Sequence, residues 1–195
     1  RGFSFQQDAE LDMRMDKDSS LTAKDVLNEY SLEGLLKVFN NYSEEKYAFQ
    51  IAKKIIEHRP LSTTIGLVNL IKDSIPRQNP IFTNKTIRKI FQGLRIEVND
   101  ELSEIKTSLD GIKQHINRNG AIICISYHSL EDKIVKSFMQ DLTLKCICDP
   151  RAPICNCKTE QEFRYHKKKK YSPSEEEISL NPRSRSAIMR CVIKL

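Results

Sequence analysis

Four strings of residues in this chain carry side chains able to do chemistry. The first is Asn181-Pro182-Arg183-Ser184-Arg185-Ser186, which runs straight into the apolar segment Ala187 to Ile193. It sets the Asn181 amide and the planar Arg183 and Arg185 guanidinium groups in a proline-fixed turn at the mouth of a strand, an arrangement suited to phosphate or carboxylate. The second is Leu11-Asp12-Met13-Arg14-Met15-Asp16. In an extended segment its alternation turns Asp12, Arg14 and Asp16 to one side and the apolar residues to the other. The third is Ile125-Ser126-Tyr127-His128-Ser129-Leu130-Glu131-Asp132. There His128 can handle a proton near neutral pH or cap the following helix. Ser129 with Asp132 three residues on reads as the capping pair of that helix, and Glu131 as a first-turn acid or a hydrogen-bond acceptor. Three such clusters, far apart in sequence, predict one assembled site.

The fourth string is Cys146-Ile-Cys148 and Cys155-Asn-Cys157, with Pro150 and Pro153 between the pairs. Four thiolates on a turn-rich loop can close tetrahedrally on zinc. The C-x-C spacing is tighter than the commoner C-x2-C and makes it harder to aim both sulfurs of a pair at one ion. Structural zinc and reduced, partly buried thiols therefore both stand as readings; disulfides do not suit a cytosolic chain. Cys124 and Cys191 sit within apolar runs and are expected in the core. The run Phe163 to Tyr171 interleaves aromatics with positive charge, which fits both a surface tracking an RNA backbone and a solvated basic loop.

The elements that position these strings follow from apolar spacing. Ala23, Val26, Leu27 and Tyr30 keep a helical period behind Thr22, with Asp25 three residues on as capping partner. Leu32, Leu35, Leu36 and Phe39 make a second stripe. A third, from Tyr47 to Ile55, stops at Arg59-Pro60. A fourth starts after Thr63-Thr64 and ends before Pro76. The longest runs from Ile87 through Leu94, Leu102 and Leu109 to Ile116; its length predicts a break near Asn99, and Asn119-Gly120 reads as its C-terminal cap. Residues 22 to 118 are thus expected to be all-helical. Ala121 to Ile125 is a β-branched run expected to be a strand buried on both faces, followed by a polar loop and a helix from Leu130. Residues 143 to 182 carry little period and read as irregular, and Ala187 to Leu195 as a second strand, antiparallel to the first.

At 195 residues the chain has room for one or two compact units. Lys plus Arg at 32 against Asp plus Glu at 26 gives +6, a mild basic excess that permits an RNA partner. No apolar run approaches the roughly 18 residues that span a bilayer, and the start does not read as a signal peptide. A cytoplasmic location and no membrane partner are expected.

The strings Arg1-Gly2-Phe3-Ser4-Phe5, LDMRMD, Arg95-Ile96-Glu97-Val98-Asn99-Asp100-Glu101-Leu102, ISYHSLEDKIVK and NPRSRS together resemble the RsmH (MraW) family of S-adenosylmethionine-dependent methyltransferases, which modify N4 of a cytosine in 16S ribosomal RNA. The resemblance covers essentially the whole chain. It departs at Asp8-Ala9-Glu10, where the family usually has Asp-Gly-Pro, and at Tyr127, where it usually has Phe. It implies an α/β fold with a helical insertion: the last strands of a Rossmann-like class I methyltransferase sheet plus an all-α substrate-recognition domain. Residues 1–20 would end one part of the methyltransferase domain, 21–118 form the insertion, and 119–195 close the methyltransferase domain around a Cys-rich irregular loop at 143–172.

The family also carries a glycine-rich cofactor loop and an acidic strand end upstream of the RGFSF element. Nothing here corresponds to either, and the six glycines never come within a G-x-G spacing. The chain therefore reads as the C-terminal portion of a longer enzyme, with the S-adenosylmethionine site mostly outside it and no cofactor-binding residue within. By itself it is expected to bind the cofactor weakly and not to methylate RNA. The resemblance implies 16S ribosomal RNA or the small-subunit particle as partner; the oligomeric state stays open.

Methylating a cytosine N4 sets demands of its own. The exocyclic nitrogen is a poor nucleophile, so acceptors must hold its hydrogens and keep it in line with the methyl donor. The base must be splayed out and stacked on an aromatic ring, for which Phe5 and Tyr127 are candidates. Arg14, Arg183 and Arg185 suit flanking phosphates. His128 and Ser126 are the candidate catalytic residues, with Asp12, Asp16 and Asn181 completing the substrate set at the carboxyl end of the 121–125 strand. Two other readings compete: a non-catalytic RNA-binding module with a structural zinc loop, and a helical scaffold for protein partners. The ISYHSLED loop discriminates, because a binding module has no need of a polar cluster at a strand's carboxyl end.

Overall fold

The computed structural model describes residues 2–76, 79–146, 148, 157 and 159–195. The chain divides into two compact units, Arg1–Glu101 and Leu102–Leu195.

The first unit is helical. Its helices are α1 (Ala23–Glu29), α2 (Leu32–Asn41), α3 (Ala48–Glu57), α4 (Thr64–Ser74) and α5 (Pro80–Asn99). Polar caps start four of them: Thr22 forms a full capping box with Asp25, Ser31 and Thr63 accept from Gly34 and Gly66 amides, and Asn79 accepts from Ile81 ahead of Pro80. Each buries its apolar stripe in a common core in which Leu27, Leu35, Phe39, Ile51, Ile71 and Leu94 are fully enclosed. The expected break occurs: α5 ends at Asn99, Asp100 caps it with a left-handed φ of 46°, and a new helix starts at Glu101. Among the described residues from 22 to 118 there is no strand.

The second unit holds α6 (Glu101–Ile112) from its second residue on, then β1 (Ala121–Ser126), α7 (Ser129–Leu142), β2 (Phe163–Tyr165), α8 (Glu175–Leu180) and β3 (Ile188–Lys194). The strands form one sheet in the order β1-β3-β2. Both pairings are antiparallel, with Ile122 opposite Val192 and Tyr165 also opposite Val192. The chain is thus mixed α/β, and the two strands expected from sequence pair as expected. Leu109, Ile122, Val135, Met139, Phe163 and Val192 make the unit's core.

Four details differ from the sequence reading. The helix α6 ends at Ile112 and passes into a 3-10 turn, Lys113–His115, so Asn119-Gly120 shapes the entry to β1 instead of capping a helix. A Cβ on Gly120 would lie 2.8 Å from the Asn117 carbonyl oxygen, which is why glycine stands there. β1 buries one face only within this unit, since Ile122 and Ser126 are enclosed while Ile123 and Ile125 are 60% and 57% exposed. The stretch read as irregular contains β2 and α8, and a 3-10 turn at Pro182–Ser186 follows from its last residue. Finally, the compact units cut the chain once, whereas the sequence reading has segments 1–20, 21–118 and 119–195. Leu11 and Met13 pack into the helical core, and Leu109 packs with the strands.

Candidate functional site

β1 delivers its last residue, Ser126, into a buried position, and the chain then turns through Tyr127 and His128 into α7. The cap of α7 is His128, not Ser129. The Glu131 amide donates to His128 Nδ1 at 3.4 Å, and the Glu131 carboxylate accepts from the amides of Tyr127 and His128 at 2.8 and 3.3 Å. This is a capping box shifted by one residue from the Ser129–Asp132 pair expected. His128 Nε2 lies 2.9 Å from Glu131 Oε1 but off the hydrogen-bonding direction. Burial pushes the Glu131 carboxyl up, yet the His128 ring and the two backbone amides outweigh it, so its pKa falls below the ordinary value. Both nitrogens of His128 are thus turned to its own helix.

A capping role has a measurable signature. His128→Ala is expected to lower unfolding free energy by about 0.5–2 kcal/mol, and His128→Asn to recover most of the loss, because Asn is a strong N-cap. Urea unfolding of the three proteins checks this; an Asn variant as unstable as the Ala variant would remove the capping assignment.

The NPRSRS string arrives beside this loop. Asn181 ends α8, and its carbonyl accepts from both the amide and the hydroxyl of Ser184, at 2.9 and 2.8 Å, winding the string into its 3-10 turn. That winding buries Ser184 and leaves Arg183 and Arg185 exposed. Tyr127, Asn181 and Ser184 line one cavity of about 300 Å3 with Ile125, Tyr171 and Met189. Two of the three expected clusters therefore meet, at the carboxyl end of β1.

In the first unit, LDMRMD proves to be a structural latch. Leu11 and Met13 are buried as the alternation predicts, but Met15 is 56% exposed and Met13 takes a left-handed φ of 61°, so the segment is not one extended strand. Arg14 grips Asp12 at 2.7 and 3.2 Å and spends its remaining amine on the carbonyls of Lys17 and Ser19. This hydrogen bond holds the Asp12 carboxyl below its ordinary pKa against a smaller opposing push from burial. Asp16 accepts from the Asp18 amide. Arg14 is thus engaged within its own loop. Asn99 ties the same loop to α5: its side chain donates to the Met13 carbonyl at 2.9 Å and accepts from the Met15 amide at 2.7 Å. The RIEVNDEL string supplies further ties, Arg95 to Glu101 at 2.7 and 2.9 Å and Tyr30 to Glu97 at 2.7 Å. Burial, then the Glu97 bond, pushes the Tyr30 phenol up to about 12. Phe5 is packed edge-on to Phe91, ring centroids 5.8 Å apart, at the margin of the core.

The basic run is also structural in its aromatics. Phe163 is fully buried in β2, and the Tyr171 hydroxyl accepts from the Lys167 and Lys168 amides while its backbone pairs with Met189. Sequence reading missed one pair altogether: Arg190, buried in β3, forks onto Asp132 of α7 at 2.7 and 2.8 Å and donates to the Lys169 carbonyl at 2.9 Å. An arginine inside an apolar strand was the available signal, since a buried guanidinium needs a partner.

Of the cysteines expected to bind metal, Cys155 lies outside the described residues; Cys146, Cys148 and Cys157 bring their sulfurs within 4.8 Å of one another. Burial raises the thiol pKa of Cys124 and Cys191, as suits inert residues. Three of the six glycines leave no room for a ligand against their backbone. The space a Cβ would take at Gly2, Gly93 and Gly120 already abuts Glu10 O, Ser43 Oγ and Asn117 O, atoms of the chain itself. No helix among the described residues is long and apolar enough to cross a membrane.

A model of the MraW methylase family matches residues 1–195. The chain is also similar to proteins named "Ribosomal RNA small subunit methyltransferase H" from several bacteria. The protein of Clostridioides difficile is 44% identical and that of Caldicellulosiruptor bescii 45% identical, each over all of this chain and 64% of the relative. That of Halothermothrix orenii is 41% identical over 97% of this chain and 62% of the relative. The chain thus spans less than two thirds of the length of these relatives. Since the family match runs through all five strings that build the latch, the capped loop and the arginine turn, the chain belongs to the MraW methylase family.

Proposed function

We propose that these residues are the RNA-holding portion of an S-adenosylmethionine-dependent methyltransferase that acts on N4 of a cytosine in 16S ribosomal RNA, in the cytoplasm. The observation that carries the reading is the shared cavity of Tyr127, Asn181 and Ser184, flanked in sequence by the exposed Arg183 and Arg185. A ring for the base, an amide for its polar edge and guanidinium groups for adjacent phosphates are what a splayed-out nucleotide requires. Ser126 and His128 fix the path of the loop that presents Tyr127, with Glu131 holding its backbone. S-adenosylmethionine supplies the methyl group, and we assign its site mostly outside these residues. We assign 119–195 to the close of a Rossmann-like methyltransferase domain, 21–118 to a helical insertion, and 1–20 to the end segment of the methyltransferase domain that leads into that insertion. The edge position of β1 and its exposed Ile123 and Ile125 support this, because further strands would pair with that edge and the helices of an α/β domain would cover that face.

The test uses the full-length protein with small-subunit particles lacking the modification. Mass spectrometry of the nucleosides should find N4-methylcytidine, and calorimetry on residues 1–195 alone should find little cofactor binding. A methyl on another atom, or tight cofactor binding by this portion, would overturn the reading. In the same enzyme Arg183→Ala and Arg185→Ala should each weaken RNA binding and lower the slope of log affinity against log salt by about 1. Unchanged salt slopes in both would remove the phosphate assignment.

A further inference from the structure

We propose that Cys146, Cys148 and Cys157 hold a structural zinc ion. Their sulfurs lie mutually within 4.8 Å, and Cys146 and Cys157 approach to 3.5 Å across eleven positions of chain. Thiolates around tetrahedral zinc, with bonds near 2.3 Å, stand roughly 3.8 Å apart, so the cluster needs only small adjustments to close on the ion. Despite the tight C-x-C spacing at 146 and 148, both sulfurs lie within 4.8 Å of each other and of the Cys157 sulfur. The Cys148 amide donates to Cys146 Sγ at 3.4 Å, an outer bond of the kind that steadies a metal-bound thiolate. All three residues are exposed or half-exposed, open to an incoming ion.

The place in the fold gives the ion a task. Between Thr143, which closes α7, and Phe163, which opens β2, the described residues form neither helix nor strand. Backbone without regular hydrogen bonding or a core of its own is where small folds use a metal as a staple. Soft thiolates select zinc over magnesium or calcium. The ion would fix the approach to β2, whose Phe163 completes the core of the second unit. Binding converts each thiol to a thiolate and releases its proton, so apparent affinity should fall by up to about a thousandfold per pH unit below the thiol range.

The full chain, purified under reducing conditions, should carry about one zinc per molecule by elemental analysis. Added Co2+ should give the intense visible bands and sulfur-to-cobalt charge transfer of a tetrahedral thiolate site. Cys146→Ser, Cys148→Ser and Cys157→Ser should each lose the metal, while Cys124→Ser keeps it. The cobalt titration of the unsubstituted chain keeps the inference testable even if a variant fails to fold. Chelation should speed amide exchange at 159–163 and leave α5 unchanged. A reduced, folded chain that takes up neither zinc nor cobalt would overturn the proposal. So would retention of metal in all three serine variants, or a disulfide that forms among these cysteines and persists under the reducing conditions.

Discussion

Asp132→Ala is expected to lower the unfolding free energy by about 3–5 kcal/mol, the cost of leaving one partner of a buried ion pair uncompensated. Arg190 is 6% exposed and stays charged, and without Asp132 it keeps, among the described residues, the Lys169 carbonyl as its one hydrogen-bond acceptor. The pair joins α7 to β3, which is the central strand of the sheet, so its loss acts on the core and not on a surface ornament. Asp132→Asn should cost less, because an amide oxygen still accepts one of the two bonds. Urea denaturation at neutral pH checks both values. An Ala variant within about 1 kcal/mol of the parent would show the pair to be no stronger than an exposed one.

The same pair fixes a pH dependence. The Arg190 hydrogen bond holds the Asp132 carboxyl below its ordinary pKa, outweighing burial. The unfolded state, with the ordinary value near 4, therefore binds the proton first as pH falls. The stabilisation is fully present above that unfolded value and is lost as pH drops through the lower folded one. The gap between parent and Asp132→Asn should accordingly be flat from about pH 6 to 8 and close in acid.

How much of this was legible depended on how local the cause was. The helices of the first unit followed from stripes and caps a few residues apart, as at Thr22 with Asp25. The break at Asp100 was readable because a strictly periodic pattern outran a single helix at a residue pair that tolerates left-handed backbone. β2 was not: three residues give too short an alternation, and the lysines that follow mask it. Arg190 with Asp132, and Asn99 with Met13 and Met15, join positions 58 to 86 residues apart, and no period or spacing encodes such pairs.

The site divides along the same line. Tyr127, Asn181, Arg183 and Arg185 were picked from residue type next to a strand end, a local inference, and the two loops do meet. Arg14 and Phe5 have suitable types too, yet their neighbours consume them: Asp12 and two carbonyls in one case, the Phe91 ring in the other. His128 went to the helix cap, with the pair one residue upstream of the one expected. Residue type says what a side chain can do, while its neighbours in space decide what is left for it to do.

Tyr127 is the side chain with most left to do, and its removal should have the largest functional effect. Its amide is pinned by Glu131 at 2.8 Å, while its ring is 56% exposed at the edge of the cavity shared with Asn181. A fixed backbone carrying an open ring is a prepared stacking surface, which loses little freedom when a base lands on it. Stacking of one base on an aromatic side chain is worth about 1–3 kcal/mol, so under the proposed function Tyr127→Ala in the full-length enzyme should lower kcat/KM for ribosomal RNA by about 5- to 150-fold. Tyr127→Phe should keep most of the activity, because the stacked face and not the hydroxyl carries the effect. Affinity for S-adenosylmethionine should stay unchanged in both, since the ring is assigned to the base alone. Full turnover in the Ala variant, or a Phe variant as impaired as the Ala one, would take the base away from Tyr127 and require another ring at the end of β1.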